Sequence, residues 1–448
     1  MSSNIVLKRG LDIPVKGAAD RRVMREVEPG TVAVNPTVYK GLVPRLLVRE
    51  GDPVAAGSPV LADKDRPEIL FTSPVSGSVK EIVRGEKRRL LAVVIESDGK
   101  GTAVDFGACD PSSLSREEAA ALLLKSGLWG GIISRPYGVM ADPSVSPKSI
   151  FISAFSTAPL APDTNFSLGH EVEAVQAGVR LLSRLTDGGV HLCLSAETYS
   201  ASPFHKIEGA IVHTVSGPHP AGNVGVQISH ISPIRRGETV WTVPIQAVAA
   251  MGRLVLTGKL SLMRRIAVTG PAAEDHAYVE ALPGTPVAEI VKPGENVRVI
   301  DGDLLSGRTL AHDGWTGFFT DQITLIREGN ETELFGWAKP FRPKLYSSSP
   351  CYFSWLTPWK KYDMDTNLHG GQRAFVETKC FSDVTPMDIF PIYLIKACLA
   401  GEIEKMEKFG IYEVLPEDLA LCDYVDPSKN DIQAIIASGI DLMIKEMA

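Results

Sequence analysis

The sequence has few cysteines, and they are far apart. The closest two, Cys380 and Cys398, are 18 residues apart, and the chain of 448 residues has six in all. Zinc and iron–sulfur sites usually take pairs of ligands from much closer spacings. The sequence therefore predicts no metal site. Scattered thiols in a long chain are typical of a reducing compartment, so we expect a cytoplasmic protein.

Long apolar runs and an excess of basic residues are also missing. The most apolar stretch, Pro244–Thr257, is too short to span a bilayer and contains Arg253. The N-terminus has no apolar region of the kind found in secretion signals. The net charge is −7, which argues against an electrostatic surface for nucleic acid. These features predict a soluble protein with no nucleic-acid partner.

One stretch comes close to a phosphate-binding motif and then departs from it. Ser216–Pro233 reads SGPHPAGNVGVQISHISP. The spacing of Gly217 and Gly222 begins like a phosphate-binding loop, but Asn223-Val224 stands where Lys-Ser/Thr is needed. No GxGxxG pattern is present either. Glycine and proline at this density set backbone angles, so we interpret the stretch as a rigid surface loop after a strand.

Short β-branched runs, separated by glycine and proline, fill the first hundred residues and predict a small barrel or sandwich. Glu50–Val54, Gly57–Leu61 and Ser73–Gly77 resemble the turns of lipoyl and biotinyl carrier domains. The carriers modify a hairpin lysine, and Lys64 is the candidate here. The segment after Lys64 is longer than in carriers and contains Pro67, so we expect a structural fold without a prosthetic arm.

The middle of the chain alternates helices with strands. Ser115 and Glu118 form the pattern of a capping box, and Gly127 ends that helix. The alternation predicts a parallel sheet, with Ser216–Pro233 beyond the carboxyl end of a strand, where a nucleotide or flavin is expected. The expected elements are strands Ile150–Phe155, Val190–Ser195, Ala210–Val215, Thr239–Val243 and Arg264–Thr269, and helices Glu171–Leu185 and Ala247–Leu256.

Three further regions follow. His276–Glu328 has the order of strands, turn and short helix of a β-grasp module. Residues 335–362 hold nine of the 31 aromatic residues. That segment is interpreted either as a contact for a protein or membrane interface or as a loop packed on a neighbouring domain. Apolar spacing near the C-terminus predicts helices over Ser382–Ala400, Glu402–Lys408, Pro416–Leu421 and Lys429–Met447.

The fold expected from these regions is a multidomain α+β protein. Its parts are a β barrel-sandwich over 1–105, a Rossmann-like α/β domain over 106–270, a β-grasp module over 271–332, an aromatic-rich connecting segment over 333–380 and a helical C-terminal domain over 381–448.

Four features together resemble one family. They are Lys8–Ala18 (KRGLDIPVKGA), the carrier-like sandwich with Thr72–Lys87, the loop Gly217–Gly225, and a β-grasp (SLBB-like) module before a helical tail. In this order they resemble the A subunits of Na⁺-translocating NADH:quinone oxidoreductases. The resemblance implies a translocase complex of six subunits that oxidises NADH, reduces quinone (ubiquinone in the respiratory chain) and exports Na⁺. It further implies that the chain is a soluble member of the complex and free of cofactor. Such a member sits on the inner face of the bacterial membrane through its five partner subunits, which carry NADH, FMN, FAD and iron–sulfur centres.

Related flavin-bearing subunits of other complexes hold flavin and iron–sulfur clusters, and this chain departs from them. Pro218-His219-Pro220 replaces the flavin-site glycines, and Cys422 is followed by Tyr424-Val425-Asp426 without a second close cysteine. One thiolate cannot hold a four-iron cluster.

A quinone needs an apolar slot and a hydrogen-bond partner for its carbonyls. We therefore hypothesise that the loop contacts a quinone or a partner subunit through His219, Gly222, Asn223, Gly225 and His230, with no catalytic residue and no metal ligand in this chain. Two alternatives remain open: the histidines only brace the loop, or the chain is an assembly scaffold that never contacts quinone.

Overall fold

The computed structural model describes residues 2–329, 331, 334–338, 342–349, 353–376 and 379–447. Phe341, Cys351, Tyr352 and the boundary expected between 332 and 333 lie outside these ranges. Within them, no helix combines the length and the apolar character that crossing a bilayer requires.

The N-terminal part forms the expected sandwich of short antiparallel strands. One sheet has the order β3-β9-β8-β5 and the other β4-β6-β7, with side chains such as Leu61, Phe71 and Ile95 buried in the core. The strands are β1 (Asn4–Val6), β2 (Val23–Glu26), β3 (Thr31–Val34), β4 (Pro44–Leu46), β5 (Pro53–Val54), β6 (Pro59–Asp63), β7 (Leu70–Thr72), β8 (Gly77–Arg84) and β9 (Leu90–Ser97). β1 and β2 belong to other sheets.

A seven-stranded sheet, ordered β1-β14-β13-β12-β15-β10-β11, organises the α/β domain. The first five strands in this order are parallel, and β10 and β11 continue the sheet in antiparallel pairing. The capping box of Ser115 and Glu118 is present and Gly127 ends the helix, as expected. The elements are α1 (Arg116–Ser126), β10 (Ile133–Arg135), β11 (Val139–Met140), β12 (Ile150–Ser153), α2 (Thr164–Leu168), α3 (Val172–Leu182), β13 (Val190–Ser195), β14 (Ala210–Ser216), α4 (Val224–Ile231), β15 (Val240–Thr242) and α5 (Ile245–Thr257).

Helices α3 and α5 approach each other closely because each has an interior glycine at the crossing. A Cβ on Gly178 would lie 2.1 Å from the Val248 carbonyl oxygen, and one on Gly252 would lie 1.7 Å from that of Ala174. Glycine is unfavourable inside a helix by about 1 kcal/mol, but here any side chain would force the helices apart.

The β-grasp module is a six-stranded sheet ordered β19-β18-β20-β16-β17-β2. Its elements are β16 (Arg264–Thr269), β17 (Tyr278–Ala281), α6 (Val287–Ile290), β18 (Val297–Asp301), β19 (Arg308–Leu310) and β20 (Gln322–Arg327).

The sheets cross the expected domain boundaries at three strands. β16 lies at the centre of the β-grasp sheet and not in the α/β domain. β1 joins the α/β sheet and β2 the β-grasp sheet, so neither belongs to the sandwich. Each strand is recognisable from its own residues, but its distant pairing partner is not encoded locally. The other domain boundaries expected from the sequence stay predictions.

The C-terminal part is helical, with α7 (Cys380–Val384), α8 (Pro391–Ala400), α9 (Ile403–Phe409), α10 (Ala420–Val425) and α11 (Ile432–Met447). The single helix expected over Ser382–Ala400 is wrong: two helices flank Thr385–Phe390, because Pro386 and Pro391 disfavour helix in the residues before them. The apolar residues of these helices share one core with Leu7, Val215 and Val226 of the α/β domain.

Two buried histidines face each other on adjacent strands of the α/β sheet. His191 Nδ1 of β13 and His213 Nε2 of β14 are 2.9 Å apart, and Phe151 stacks on the His191 ring. The Ser3 backbone N–H donates to His213 Nδ1, so His213 holds its proton on Nε2 and donates it to His191. Burial lowers the pKa of His191 to about 4, and it also lowers the pKa of His213.

This pair should make folding more sensitive to acid. In the unfolded chain a histidine protonates near its ordinary pKa of about 6.5, whereas folded His191 stays neutral down to about pH 4. The free energy of unfolding should therefore fall as the pH is lowered between these values. Chemical unfolding should show a smaller fall over this range in H191Q than in the wild type. H170Q, which replaces an exposed histidine, controls for the loss of an imidazole. Equal falls in the free energy of unfolding of wild type and H191Q would contradict the prediction.

Candidate functional site

The chain reverses its direction of travel across the α/β sheet between β12 and β15. From β12 it moves outward to β13 and β14, and it then returns to place β15 on the other side of β12. Ligands of such sheets bind beyond the carboxyl ends of the strands near this switch point. Residues 154–163, after β12, and residues 217–223, after β14, lie at that edge.

A pocket of about 140 Å³ lies at this edge. Three parts of the chain line it: the α/β domain, the turn after β18 of the β-grasp module, and the segment of the C-terminal part where α10 begins. The lining residues are Arg135, Ser156, Ala158, His219, Asn223, Val224, Asp303, Leu305, Ser306, Glu417 and Ala420.

The five residues proposed from the sequence do not all lie together. His219 and Asn223 line the pocket, whereas Gly222 and Gly225 are close to them in sequence but do not line it. His230 is exposed and its Nδ1 lies 2.9 Å from the Val226 carbonyl oxygen. It does not line the pocket, because Val224–Ile231 is a helix and not part of a loop. Six residues of helix, at about 1.5 Å each, carry His230 roughly 9 Å from the start of α4.

His219 is buried and fixed through its backbone and its ring. Its N–H donates to Asp12 Oδ1 at 2.9 Å, and its Nδ1 lies 3.2 Å from Thr157 Oγ1. That hydroxyl also accepts the Gly222 N–H, and it keeps both a hydrogen and a second lone pair for the contact with Nδ1. The imidazole carries its proton on Nε2 when the hydroxyl donates to Nδ1, and on Nδ1 when the ring donates.

The charge state of His219 follows from its surroundings. Burial lowers the pKa of His219, and the carboxylates of Asp303, Asp12 and Asp418 oppose that effect without reversing it. The ring is therefore neutral at neutral pH. Its Nε2 has no hydrogen-bond partner within the described part of the chain.

Gly222 and Gly225 allow close packing and do not serve as flexible hinges. A Cβ on Gly222 would lie 2.5 Å from the Thr157 backbone nitrogen. A Cβ on Gly225 would lie 2.2 Å from Asp418 Oδ2 and 2.4 Å from Arg135 Nη1. The first turn of α4 thus fits directly under a pair of charged side chains.

No sequence pattern indicates this charged pair. Arg135 Nη1 of β10 donates to Asp418 Oδ2 at 2.7 Å, and Nη2 donates to Glu417 Oε1 at 3.0 Å. Burial acts against the charge on Arg135, but the two carboxylates outweigh it and raise the pKa of the guanidinium. Asn223 Nδ2 donates to the Glu417 carbonyl oxygen at 3.0 Å, which joins the same two segments.

A second, larger cavity adjoins the pocket. It encloses about 1070 Å³ and shares Leu305 and Ala420 with the pocket. Apolar side chains line part of it, among them Ile13, Ile300 and Tyr346. The pocket and this larger cavity are thus neighbours that share two lining residues.

The position expected for a lost metal cluster is tightly packed. Cys422 is buried, its Sγ lies 3.6 Å from Thr385 Oγ1, and burial raises the pKa of its thiol to about 12. Across the described ranges, no three His, Cys, Asp or Glu side chains are grouped to hold a metal ion.

Three family models match successive parts of the chain. They are described as the NqrA N-terminal barrel-sandwich hybrid domain over residues 5–98, the NqrA second alpha/beta domain over 114–260 and the NQRA C-terminal domain over 265–312. The third carries the SLBB designation, in agreement with the β-grasp sheet.

Relatives match over nearly the whole chain. The A subunit of the Na(+)-translocating NADH-quinone reductase from Yersinia pestis bv. Antiqua (strain Angola) is 37% identical over 439 residues, which cover 96% of this chain and 97% of the relative. The corresponding A subunit from Rhodopirellula baltica is 34% identical, and the match covers 98% of each chain. A chain of an NAD⁺-reducing [NiFe]-hydrogenase crystal structure, in the H₂-reduced state, aligns at a TM-score of 0.33 and 12% identity over 67% of this chain and 55% of that one. A likeness that weak supports no argument.

The packing at Gly225 can be tested directly. In G225A the new methyl group should displace Asp418 from Arg135, and disrupting a buried ion pair costs about 3 kcal/mol or more. We expect a correspondingly lower free energy of unfolding in denaturant titrations. G30A is the matched control, because a Cβ on Gly30 meets no atom within 4 Å. Equal stability of G225A and G30A would show that the ion pair does not restrict this position.

Proposed function

The chain belongs to the family of A subunits of Na⁺-translocating NADH-quinone reductases, and from that premise we propose that it contacts the quinone ring at the His219 pocket. It works as a cofactor-free peripheral subunit, cytoplasmic and on the inner face of the membrane, held there by five partner subunits. Those partners carry NADH, FMN, FAD and iron–sulfur centres. This chain supports quinone reduction and assembly of the complex.

The size and chemistry of the pocket carry this proposal. A cavity of about 150 Å³ accommodates benzene, so about 140 Å³ suits a single six-membered ring. Pockets for whole cofactors or drug-sized ligands are larger, about 300–1,000 Å³. With the Thr157 hydroxyl donating to Nδ1, the unpartnered Nε2 of neutral His219 carries the ring proton and is a donor of the kind that a quinone carbonyl accepts. The side chain of Asn223 adds a polar group on the same wall.

A nucleotide or flavin fits the pocket poorly. A phosphate in such folds lies at the N-terminus of the helix after the strand, where the helix dipole favours an anion. In this chain the carboxylate of Asp418 already lies against the first turn of α4, held by Arg135. An incoming phosphate would meet a buried negative charge in the place it needs.

The adjoining cavity supports a quinone in preference to other ring compounds. The apolar side chain of a quinone needs a space next to its ring, and Leu305 and Ala420 lie between the pocket and the larger cavity. The alternative function is a pure assembly scaffold without quinone contact.

Replacing His219 distinguishes the two functions. H219F keeps a ring of similar shape but removes the donor, so the affinity for a short-chain quinone should fall by the value of one hydrogen bond. That value is about 1 kcal/mol, or roughly fivefold in Kd. Calorimetric titration of the full-length chain with the quinone measures it.

H230F is the matched control, because His230 lies outside the pocket and its replacement should leave quinone binding as in the wild type. A wild type without saturable binding, or equal Kd values for H219F and wild type, would overturn the quinone contact. Loss of NADH:quinone activity from solubilised membranes that lack this chain, with no quinone binding by the chain itself, would support the scaffold.

A further inference from the structure

The segment between the β-grasp module and the C-terminal helices exposes large apolar side chains. Phe353, Trp355 and Leu356 are each exposed by more than half, and Trp359 is 78% exposed. These four residues, which we call the apolar patch, lie on the 3₁₀ turn Phe353–Leu356 and the turn that follows it. Monomeric soluble proteins seldom leave such a patch without a partner.

The apolar patch projects from a fixed base. Tyr362 is buried, its N–H donates to the Pro14 carbonyl oxygen at 2.7 Å, and its own carbonyl oxygen accepts the Lys16 N–H at 3.0 Å. The rings of Tyr346 and Tyr362 are 5.5 Å apart. These tyrosines pack inward, as the interpretation of a packed loop predicts, while the apolar patch faces solvent.

The stretch of sequence that contains the apolar patch is basic. Residues 334–361 contain five basic residues and no acidic residue, in a chain whose net charge is −7. Lys344 and Lys361 are exposed. Lys360 bonds to the Pro343 carbonyl oxygen and lies 4.9 Å from the centre of the Tyr362 ring. The same segment therefore combines exposed apolar side chains with exposed lysines.

We propose that the apolar patch inserts into the headgroup layer of a bilayer rich in anionic lipid. Tryptophan favours the boundary between headgroups and acyl chains, and lysines near it are attracted to anionic headgroups. The patch sits on two successive short turns, a shape suited to entering a fluid interface. A protein partner would instead have to supply a matching concave surface. This contact goes beyond the proposed function, because it concerns another surface and does not depend on quinone.

The test uses the full-length chain and vesicles of phosphatidylcholine with or without phosphatidylglycerol. We expect the chain to float with the anionic vesicles and to float weakly with neutral ones. W355S/W359S should lower the bound fraction at least tenfold. K344E/K361E should remove the preference for anionic vesicles. Brominated lipid should quench tryptophan fluorescence in the wild type more than in W355F/W359F.

F390S/Y393S is the matched control, since Phe390 and Tyr393 are an exposed apolar pair elsewhere, at 58% and 47% exposure. It should bind vesicles as the wild type does, and unchanged thermal unfolding of the patch variants excludes misfolding. Absence of vesicle binding, or equal binding by W355S/W359S and wild type, would overturn the proposal. Loss of partner subunits on co-purification of W355S/W359S, without vesicle binding by the wild type, would instead assign the patch to a protein.

Discussion

The ion pair of Arg135 and Asp418 joins two points of the chain that are 283 residues apart. It fixes the turn before α10, in the middle of the C-terminal helices, against the α/β sheet, and it lies directly on the first turn of α4. Its presence explains why Gly225 has no side chain and why so little space remains at the switch point of the sheet. A buried pair is a poor source of net stability, but separating its partners is costly. Its main effect is therefore to fix one relative position of the two domains.

The same pair accounts for the chemistry left at the site. A sheet of this kind presents a helix N-terminus to an anionic group, and here the chain supplies its own carboxylate. What remains is a pocket of about 140 Å³ that is lined in part by a neutral histidine, and beside it a larger cavity. The carboxylate fills the place where a phosphate would bind, and we propose that the space left over takes an uncharged ring.

Local sequence patterns predict most elements and the order of the domains. The capping box at Ser115, the alternation of helices with strands and the turn glycines of the sandwich are short-range features, and the structure agrees with them. The differences involve long-range pairing: β1, β2 and β16 join sheets that their neighbours in sequence do not. At the site, His219 and Asn223 are recognisable because they stand in an unusual loop. Arg135 and Asp418 are not, because each is unremarkable among its neighbours, and His230 lies outside the pocket because a helix carries it away.

The position of β1 has a consequence for how the chain is made. β1 is synthesised long before its pairing partner β14, which ends at Ser216, so the ribosome must add some two hundred residues before the edge of the α/β sheet can close. β2 waits longer still for β17 in the β-grasp sheet. Contacts this distant in sequence slow folding, because the intervening loop must be closed before they form. The sandwich, whose strands pair only with one another, can fold first. The N-terminal segment with β1 and β2 then pairs late and connects the sandwich to both neighbouring domains.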